Sequence, residues 1–286
     1  MKERAYAKIN LCLDVVRRRE DGYHELKMIM VPVDFYDVLE MVPAQETTLS
    51  LNRNYLPVND KNTVIKAIHV MQECFGVTAE YACTLTKHIP TQAGLAGGSA
   101  DAAAAIRMIA AMEGLNASQE ELIAAAKKVG ADVPFCLLNR PALVEGIGEK
   151  ITPFECHTDF SILLVKPRKG VSTAAAFGGL DFSTMEHPDA EEMRRALMEN
   201  DYDGMIAALG NSLEEVSLRL VSEIREIKED LLALGFDGAL MSGSGSTVFG
   251  ITRNQRLMQR AGTIMRNRGC FVRSVKILDS GTQKIY

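Results

Sequence analysis

The chain has 286 residues, of which 47% are hydrophobic and 24% are charged, a composition typical of a globular protein. Its length predicts about two domains. The 32 basic and 37 acidic residues give a formal net charge of −5. Such an acidic balance argues against broad binding to nucleic acids or membrane surfaces, because both require a basic face. An anionic ligand would therefore need a local binding device.

The amino terminus and the cysteines predict a cytoplasmic protein with reduced thiols. Lys2, Glu3, Arg4 and Lys8 interrupt the first apolar residues, so no signal peptide fits there. No apolar run approaches the roughly 18 residues that a membrane-spanning helix needs. The six cysteines contain no Cys-x-x-Cys pair and the five histidines are scattered, so we expect no zinc site.

Hydrophobic periodicity predicts alternating strands and helices in the first half of the chain. Residues 5–15 predict a strand with its apolar residues on one face, so Lys8 and Asn10 should point together from the opposite face. The Asp21-Gly22 pair then predicts a hairpin turn. The remaining predictions are helices at 64–75, 100–112 and 118–130, the last with a Ser118/Glu121 capping box, a strand at 81–89 and a glycine-bearing loop at 90–99.

The second half continues this alternation without repeating the sequence. We predict strands at 160–166, 239–242, 247–251 and 270–278, and helices at 189–199, 224–234 and 255–266. The segment 181–189 is the most loop-like, and a domain boundary is expected near residue 155.

The segment from Pro90 to Asp101 is the strongest local signal for chemistry. It joins a predicted strand to a predicted helix, where unpaired N–H groups and the positive end of the helix dipole can bind an anion. Its glycines would let the backbone close around phosphate oxygens. It matches neither the P-loop spacing nor the G-x-G-x-x-G pattern. A structural strand-to-helix turn explains this segment equally well.

Two further loops are weaker signals when each is taken alone. Asp132 lies in a Gly130-to-Pro134 segment, and turn chemistry favours a structural role for an aspartate in that position. The small-residue loop at 242–247 is either a second anion site or a tight hairpin.

The order of these motifs resembles the GHMP small-molecule kinases over nearly the whole chain. The matching motifs are Ala7-Lys8-Ile9-Asn10-Leu11, Gly22-Tyr23-His24, 90–101, Gly130-Ala131-Asp132-Val133-Pro134, Gly146-Ile147-Gly148-Glu149 and 242–247. Three of them, at 7–11, 22–24 and 130–134, are similar to the branch that acts on a cytidine-diphosphate-linked methylerythritol. Gln92, Ala96 and Ala100 depart from the small residue, glycine and serine that the family often has there.

The resemblance implies a two-domain fold of the α/β (α+β) class. Residues 1–155 would form a domain with a left-handed β-α-β crossover, and residues 156–286 a ferredoxin-like domain, with a cleft between them. It also implies that ATP, with magnesium, phosphorylates the 2-hydroxyl of that small-molecule substrate, a step of the non-mevalonate isoprenoid pathway.

The resemblance also assigns roles to individual residues. Asp132 would accept the hydroxyl proton and Lys8 would keep that carboxylate ionised. The implied ATP-binding residues are Pro90, Thr91, Gln92, Ala93, Gly94, Leu95, Ala96, Gly97, Gly98, Ser99 and Ala100, with Ser99 also a magnesium ligand. The implied substrate-binding residues are Asn10, Tyr23, His24 and Phe177.

Structural interpretations compete with these roles. Lys8 could be a solvated strand lysine, Tyr23 and His24 a surface turn, Phe177 a core residue and Ser99 a helix cap. Asn62 could line the nucleotide pocket or cap the helix that follows it.

Two alternative functions are considered at this point. One is a different GHMP kinase acting on mevalonate, homoserine or a sugar. The other is a non-catalytic RNA-binding or regulatory module, against which the acidic balance and the joint presence of Lys8 and Asp132 argue. The sequence does not predict the oligomeric state.

Overall fold

The computed structural model describes residues 1–278; residues 279–286, at the end of the predicted second domain, lie outside the described part. Its first-half elements are β1 (Lys2–Arg18), β2 (His24–Ala44), β3 (Thr48–Leu51), α1 (Thr63–Phe75), β4 (Glu80–Thr86), α2 (Gly97–Met112), α3 (Gln119–Val129), α4 (Val133–Leu138), β5 (Ala142–Gly146) and β6 (Lys150–Pro153).

The second half alternates helices and strands in the same way. Its elements are β7 (Ser161–Lys166), α5 (Thr173–Gly178), α6 (Ala190–Glu199), α7 (Tyr202–Ala207), β8 (Gly210–Asn211), α8 (Glu214–Leu220), α9 (Glu223–Leu234), β9 (Gly238–Met241), β10 (Val248–Thr252), α10 (Gln255–Asn267) and β11 (Phe271–Val275). In the described part, no helix combines the length and the hydropathy needed to cross a membrane.

The first sheet has the strand order β3-β4-β2-β1-β8, with β5 and β6 continuing from β2. The parallel strands β3 and β4 are joined through α1 and form a β-α-β unit. The left-handed sense of its crossover remains a prediction. Strand β8 comes from the second half of the chain and pairs in parallel with β1. The first sheet is therefore completed across the boundary predicted near residue 155, which itself remains a prediction.

Strand β1 is longer than predicted, and its apolar residues do not share one face. Its pairing with β2 shifts register at residues 6–8 and again at residues 10–12. At residues 10–12 the extra residue lies on β1 and reverses the faces that follow it, whereas at residues 6–8 the extra residues lie on β2. Ala7, Ile9 and Leu11 therefore pack in one apolar cluster, whereas Ala5, Leu13 and Val15 pack in another. The single-face prediction for residues 5–15 was wrong for this reason.

The second sheet has the strand order β11-β7-β10-β9, and its neighbouring strands are antiparallel. With α9 before β9 and α10 before β11, this order is that of a ferredoxin-like domain, so the predicted fold class is confirmed. Ile162 and Leu164 of β7 pack in the same cluster as Ala7 and Ile9 of β1. The two sheets thus face each other, with helices covering their outer sides.

The predicted helices are present with shifted ends. Asn62 caps α1, because its Oδ1 accepts the Val64 N–H at 3.0 Å, and Gly76 ends that helix in the left-handed conformation. The Ser118/Glu121 capping box of α3 is confirmed. The sequence analysis missed most of β2 and read the short helix α4 as a turn.

Candidate active site

Lys8 is buried on β1 although lysine is seldom found inside a protein. Its side chain is 5% exposed, and its Nζ donates to Asn10 Oδ1 at 2.7 Å. The predicted sharing of one face by Lys8 and Asn10 is confirmed. The interpretation of Lys8 as a solvated strand lysine was wrong.

Asp132 lies at the start of α4, which packs against β1. It occupies the N-cap position, yet its half-buried carboxylate makes no capping hydrogen bond. Burial raises the pKa of the nearby Cys136 thiol; the charge of Asp132 raises it further, whereas Lys8 lowers it. Both charges therefore act on one buried sulfur. Asp132 and Lys8 thus both lie within electrostatic range of Cys136, and the Asp132 carboxylate is uncapped.

The glycine loop, residues 90–96, is joined to β1 through its backbone. The Lys8 N–H donates to Leu95 O at 3.2 Å. Ala96 then takes the left-handed conformation (φ 53°), and α2 begins at Gly97, earlier than predicted. Ala96 is the N-cap, so the interpretation of Ser99 as the cap was wrong. Because no side chain caps α2, the N–H groups at its start can bind an anion.

The loop at 242–247 braces the glycine loop. Ser242 Oγ accepts the Asn10 N–H at 3.3 Å and donates to Gly94 O at 3.0 Å. The Thr247 N–H donates to Ala93 O at 3.3 Å. A Cβ on Gly94 would lie only 1.9 Å from Ser242 O. Glycine is therefore required at position 94 by the approach of a second loop.

Gly97 also lies close to other parts of the protein. A Cβ there would meet Ile89 Cγ2 at 2.9 Å and Lys87 Nζ at 3.3 Å. The space that a side chain of Gly97 would fill is therefore taken by the side chains of Ile89 and Lys87. The binding of phosphate by this loop stays a prediction.

Asn211 of β8 is a bracing residue that the sequence analysis missed. Its Nδ2 donates to Met241 O and to Gly243 O, both at 2.8 Å. Its Oδ1 accepts the Leu213 N–H at 2.9 Å. Gly243 in turn lies beside the Lys8 ammonium, since a Cβ on Gly243 would be 3.3 Å from Lys8 Nζ. No local pattern identifies Asn211, because its partners come from a later strand and loop.

An aromatic group forms near the 19–23 turn. The His24 ring lies 5.0 Å from Phe177 and 6.0 Å from Phe182, and it is nearly parallel to Phe182. Tyr23 is 62% exposed, and its backbone is fixed by Asp21. The structure thus brings His24 and Phe177 together and adds Phe182, which lay unnoticed in the 181–189 loop.

The electrostatics of this group favour neutral imidazole. Burial lowers the pKa of His24 from its usual 6.5, and the charge of Arg18 lowers it further. A neutral imidazole has one donor and one acceptor nitrogen, which suits recognition of a base edge.

A buried charge network lies at the base of the glycine loop. The Lys87 ammonium contacts the carboxylates of Asp37 and Asp101. From the sequence, Asp101 was identified only as the last residue of the Pro90–Asp101 segment, and Asp37 and Lys87 were not identified. In the described part of the chain, no group of three or more His, Cys, Asp or Glu side chains could hold a metal ion.

Comparison with known proteins decides the family. The model of the GHMP kinases N terminal domain matches residues 62–140, and the GHMP kinases C terminal model matches residues 184–269. A 4-diphosphocytidyl-2-C-methyl-D-erythritol kinase of Geobacillus sp. (strain WCH70) is 39% identical over 277 residues, which is 96% of each chain. The chain belongs to the GHMP kinases.

Solved structures agree with this GHMP kinase assignment. A crystal structure of 4-(cytidine 5'-diphospho)-2C-methyl-D-erythritol kinase matches with a TM-score of 0.80 and 32% identity, over 96% of this chain and 99% of that one. A homoserine kinase structure from Cytophaga hutchinsonii ATCC 33406 matches with a TM-score of 0.75 and 19% identity, over 96% of each chain, and shows the fold alone. The GHMP resemblance predicted from the motifs is confirmed, and the non-catalytic alternative was wrong.

Proposed function

We propose that this GHMP kinase transfers the γ-phosphate of ATP to the 2-hydroxyl of 4-diphosphocytidyl-2-C-methyl-D-erythritol. The observation that carries the proposal is the buried Lys8, which is bonded through its backbone to the glycine loop and acts with the uncapped Asp132 on the electrostatics of Cys136. The 39% and 32% identical proteins carry the name of this kinase, which supports the choice of substrate.

Asp132 and Lys8 perform the chemistry at the acceptor hydroxyl. Phosphoryl transfer passes through a loose transition state, so the protein mainly positions the reactants and stabilises charge. The hydroxyl oxygen forms a bond to the γ-phosphorus as the bond to the ADP oxygen breaks. The hydroxyl proton passes to Asp132. Lys8 stabilises the negative charge on the attacking oxygen.

The glycine loop and the start of α2 bind the phosphates of ATP. The dipole of α2 and its uncapped N–H groups favour an anion at this end. This device lets a protein with a net charge of −5 bind a polyphosphate without a basic surface. Residues 90–100 form this site in the proposal, with Asn10 positioning the acceptor from the Lys8 face of β1.

Magnesium fits the donors available here. Mg²⁺ prefers oxygen ligands and usually keeps several waters and substrate phosphates beside one or two protein groups. The Ser99 hydroxyl, in the first turn of α2, is an oxygen donor of this kind. When bound, the ion would neutralise phosphate charge.

The aromatic group recognises the cytosine. Tyr23 and Phe177 offer ring faces for stacking, and neutral His24 offers hydrogen bonds to the base edge. A mevalonate or homoserine kinase has no need for such a group. Competition by CMP therefore separates this substrate from those of other GHMP kinases. A small-molecule substrate and a cytoplasmic location complete the proposal, which includes no nucleic-acid partner.

Single-turnover phosphoryl transfer at saturating ATP and substrate tests the mechanism. Asp132→Asn keeps the shape of the side chain but cannot take a proton, so we expect a rate loss of about 10²–10⁴-fold with both substrates still bound. Lys8→Ala should also lose rate. The double variant should lose much less than the product of the two single losses, because the two residues act together.

A near-normal rate in Asp132→Asn would show that this aspartate is only a turn residue. A panel of cytidine-linked, uridine-linked, mevalonate and homoserine acceptors tests the substrate. Equal turnover of the uridine analogue would overturn the base recognition.

A further inference from the structure

The network of Asp37, Lys87 and Asp101 has no part in the chemistry proposed above, yet it is the most deeply buried group of charges near the site. Lys87 follows β4, Asp37 lies on β2 and Asp101 lies in α2. Lys87 Nζ lies 2.6 Å from Asp101 Oδ2 and also contacts Asp37 Oδ2. Burial alone would lower the pKa of Lys87, but the two carboxylates raise it overall. The lysine is therefore charged.

The network holds the chain where it enters the glycine loop. Asp37 Oδ1 accepts hydrogen bonds from the backbone N–H groups of His88 and Ile89, the latter at 2.8 Å. The Lys87 N–H donates to Asn52 Oδ1 at 2.8 Å, and Asn52 Nδ2 donates to Lys87 O at 3.2 Å. The three residues before Pro90 are thus fixed through both backbone and side chain.

The same network holds the chain where it leaves the loop. Asp101 lies one turn inside α2, and its Oδ2 accepts from the Lys87 ammonium. Gly97, the first residue of α2, packs so closely on Lys87 and Ile89 that a Cβ would meet them at 3.3 Å and 2.9 Å. A single ammonium therefore joins the entry and the exit of the loop.

A network of buried charges is an unfavourable way to hold two segments together, because burying charged groups costs free energy. Asp101 is 2% exposed, and among the described residues no donor lies within hydrogen-bond reach of its Oδ1. Two carboxylates share one ammonium, and a buried charge without full compensation is destabilising. Well-packed apolar residues often hold an interior equally well or better. An ionic network instead fixes direction and distance, which an anion-binding loop requires.

We propose that Lys87, with Asp37 and Asp101, is a positioning residue for ATP that sets the spacing of the glycine loop so that the N–H groups at the start of α2 converge on the phosphates. This inference rests on the proposed function of that loop. None of the three residues touches the substrates in it.

Isothermal titration of the full chain with ADP and, separately, with CDP tests the proposal. Misplacement of a binding group by about 1 Å can cost on the order of 10²-fold. We expect Lys87→Met to weaken ADP binding by about tenfold or more, while CDP affinity stays within about twofold. A purely structural defect would weaken both ligands alike.

A matched control uses another ion pair of the same helix. Arg107 of α2 pairs with Glu3 of β1, away from the glycine loop. Glu3→Gln should lower the unfolding temperature yet leave ADP affinity unchanged. If Lys87→Met does not fold, Asp101→Asn takes its place, because an amide oxygen still accepts from Lys87 but carries no charge.

A folded Lys87→Met or Asp101→Asn protein that binds ADP like the wild type would overturn the positioning role. Equal losses of ADP and CDP affinity would do the same. Failure of the proposed function looks different: the wild type would bind ADP but transfer no phosphate to the cytidyl acceptor.

Discussion

Gly94→Ala should have two effects: backbone strain at residue 94, which lowers stability, and displacement of the glycine loop, which slows phosphoryl transfer. Gly94 has φ +71°, a conformation that alanine adopts at a cost of about 1–2 kcal/mol. Its new Cβ would also lie 1.9 Å from Ser242 O, whereas real Cβ contacts are essentially never closer than 3.0 Å. The two loops must therefore separate by about 1.1 Å, a distance that follows from those two values.

This displacement acts directly on β1, the strand that carries Lys8 and Asn10. Ser242 bonds both Gly94 O and the Asn10 N–H, and the next residue, Leu95, accepts from the Lys8 N–H. A shift of about 1 Å in such a site costs on the order of 10²-fold in rate. That loss corresponds to about 2.7 kcal/mol in the activation barrier. We expect it in addition to the lower stability.

Gly76→Ala is the matched control for this experiment. Gly76 has φ +66°, but nothing lies within 4 Å of the position of its Cβ. It should lose a similar stability in urea unfolding and keep its single-turnover rate. If Gly94→Ala kept a wild-type rate, or if Gly76→Ala slowed transfer as much, the bracing of the glycine loop by Ser242 would be refuted.

Three further predictions concern His24, Asp101 and Asn211. Because the pKa of His24 lies below 6.5, KM for the cytidyl substrate should be constant above pH 6.5 and rise at lower pH. His24→Gln should remove this rise. A wild-type KM that does not change with pH would contradict the prediction. Burial raises the pKa of Asp101, so the folded state holds its proton more tightly than the unfolded state does. The wild type should therefore lose stability relative to Asp101→Asn as pH rises above 3.8. Urea unfolding at several pH values measures this, and a difference in unfolding free energy that stays constant with pH would contradict it. Asn211→Ala leaves two carbonyl groups without their donor, so the free energy of unfolding should fall by about 1–3 kcal/mol. Phosphoryl transfer should also slow, and unchanged kinetics would argue against bracing of the loop through β8.

Local patterns predicted the elements whose signals lie within a few residues. The Asn62 cap and the Ser118 capping box each act over one helical turn, and both are present in the structure. In the second half, the seven predicted helices and strands match to within a few residues, whereas α5, α7, β8 and α8 were not predicted. Strand β1 failed because its bulges depend on pairing with β2, which no periodicity within β1 encodes.

The site was predicted only where the family motifs named it. Composition favoured a solvated Lys8 and a structural Asp132; burial of Lys8 overturned the first interpretation, and the role of Asp132 stays a prediction. Asn211, Phe182 and the network around Lys87 have partners dozens of residues away. No short-range pattern marks such residues, because their roles arise only when distant strands and loops meet.

The parallel pairing of Cys12 and Leu13 with β8 orders events during synthesis of the chain. Strand β1 leaves the ribosome first, but one of its edges stays open until Gly210 and Asn211 have been made. An open edge invites pairing with other strands. The half that emerges early therefore carries Lys8 on an incomplete sheet through most of translation. A truncated product ending near residue 155 should be prone to aggregation, because β8 is then missing.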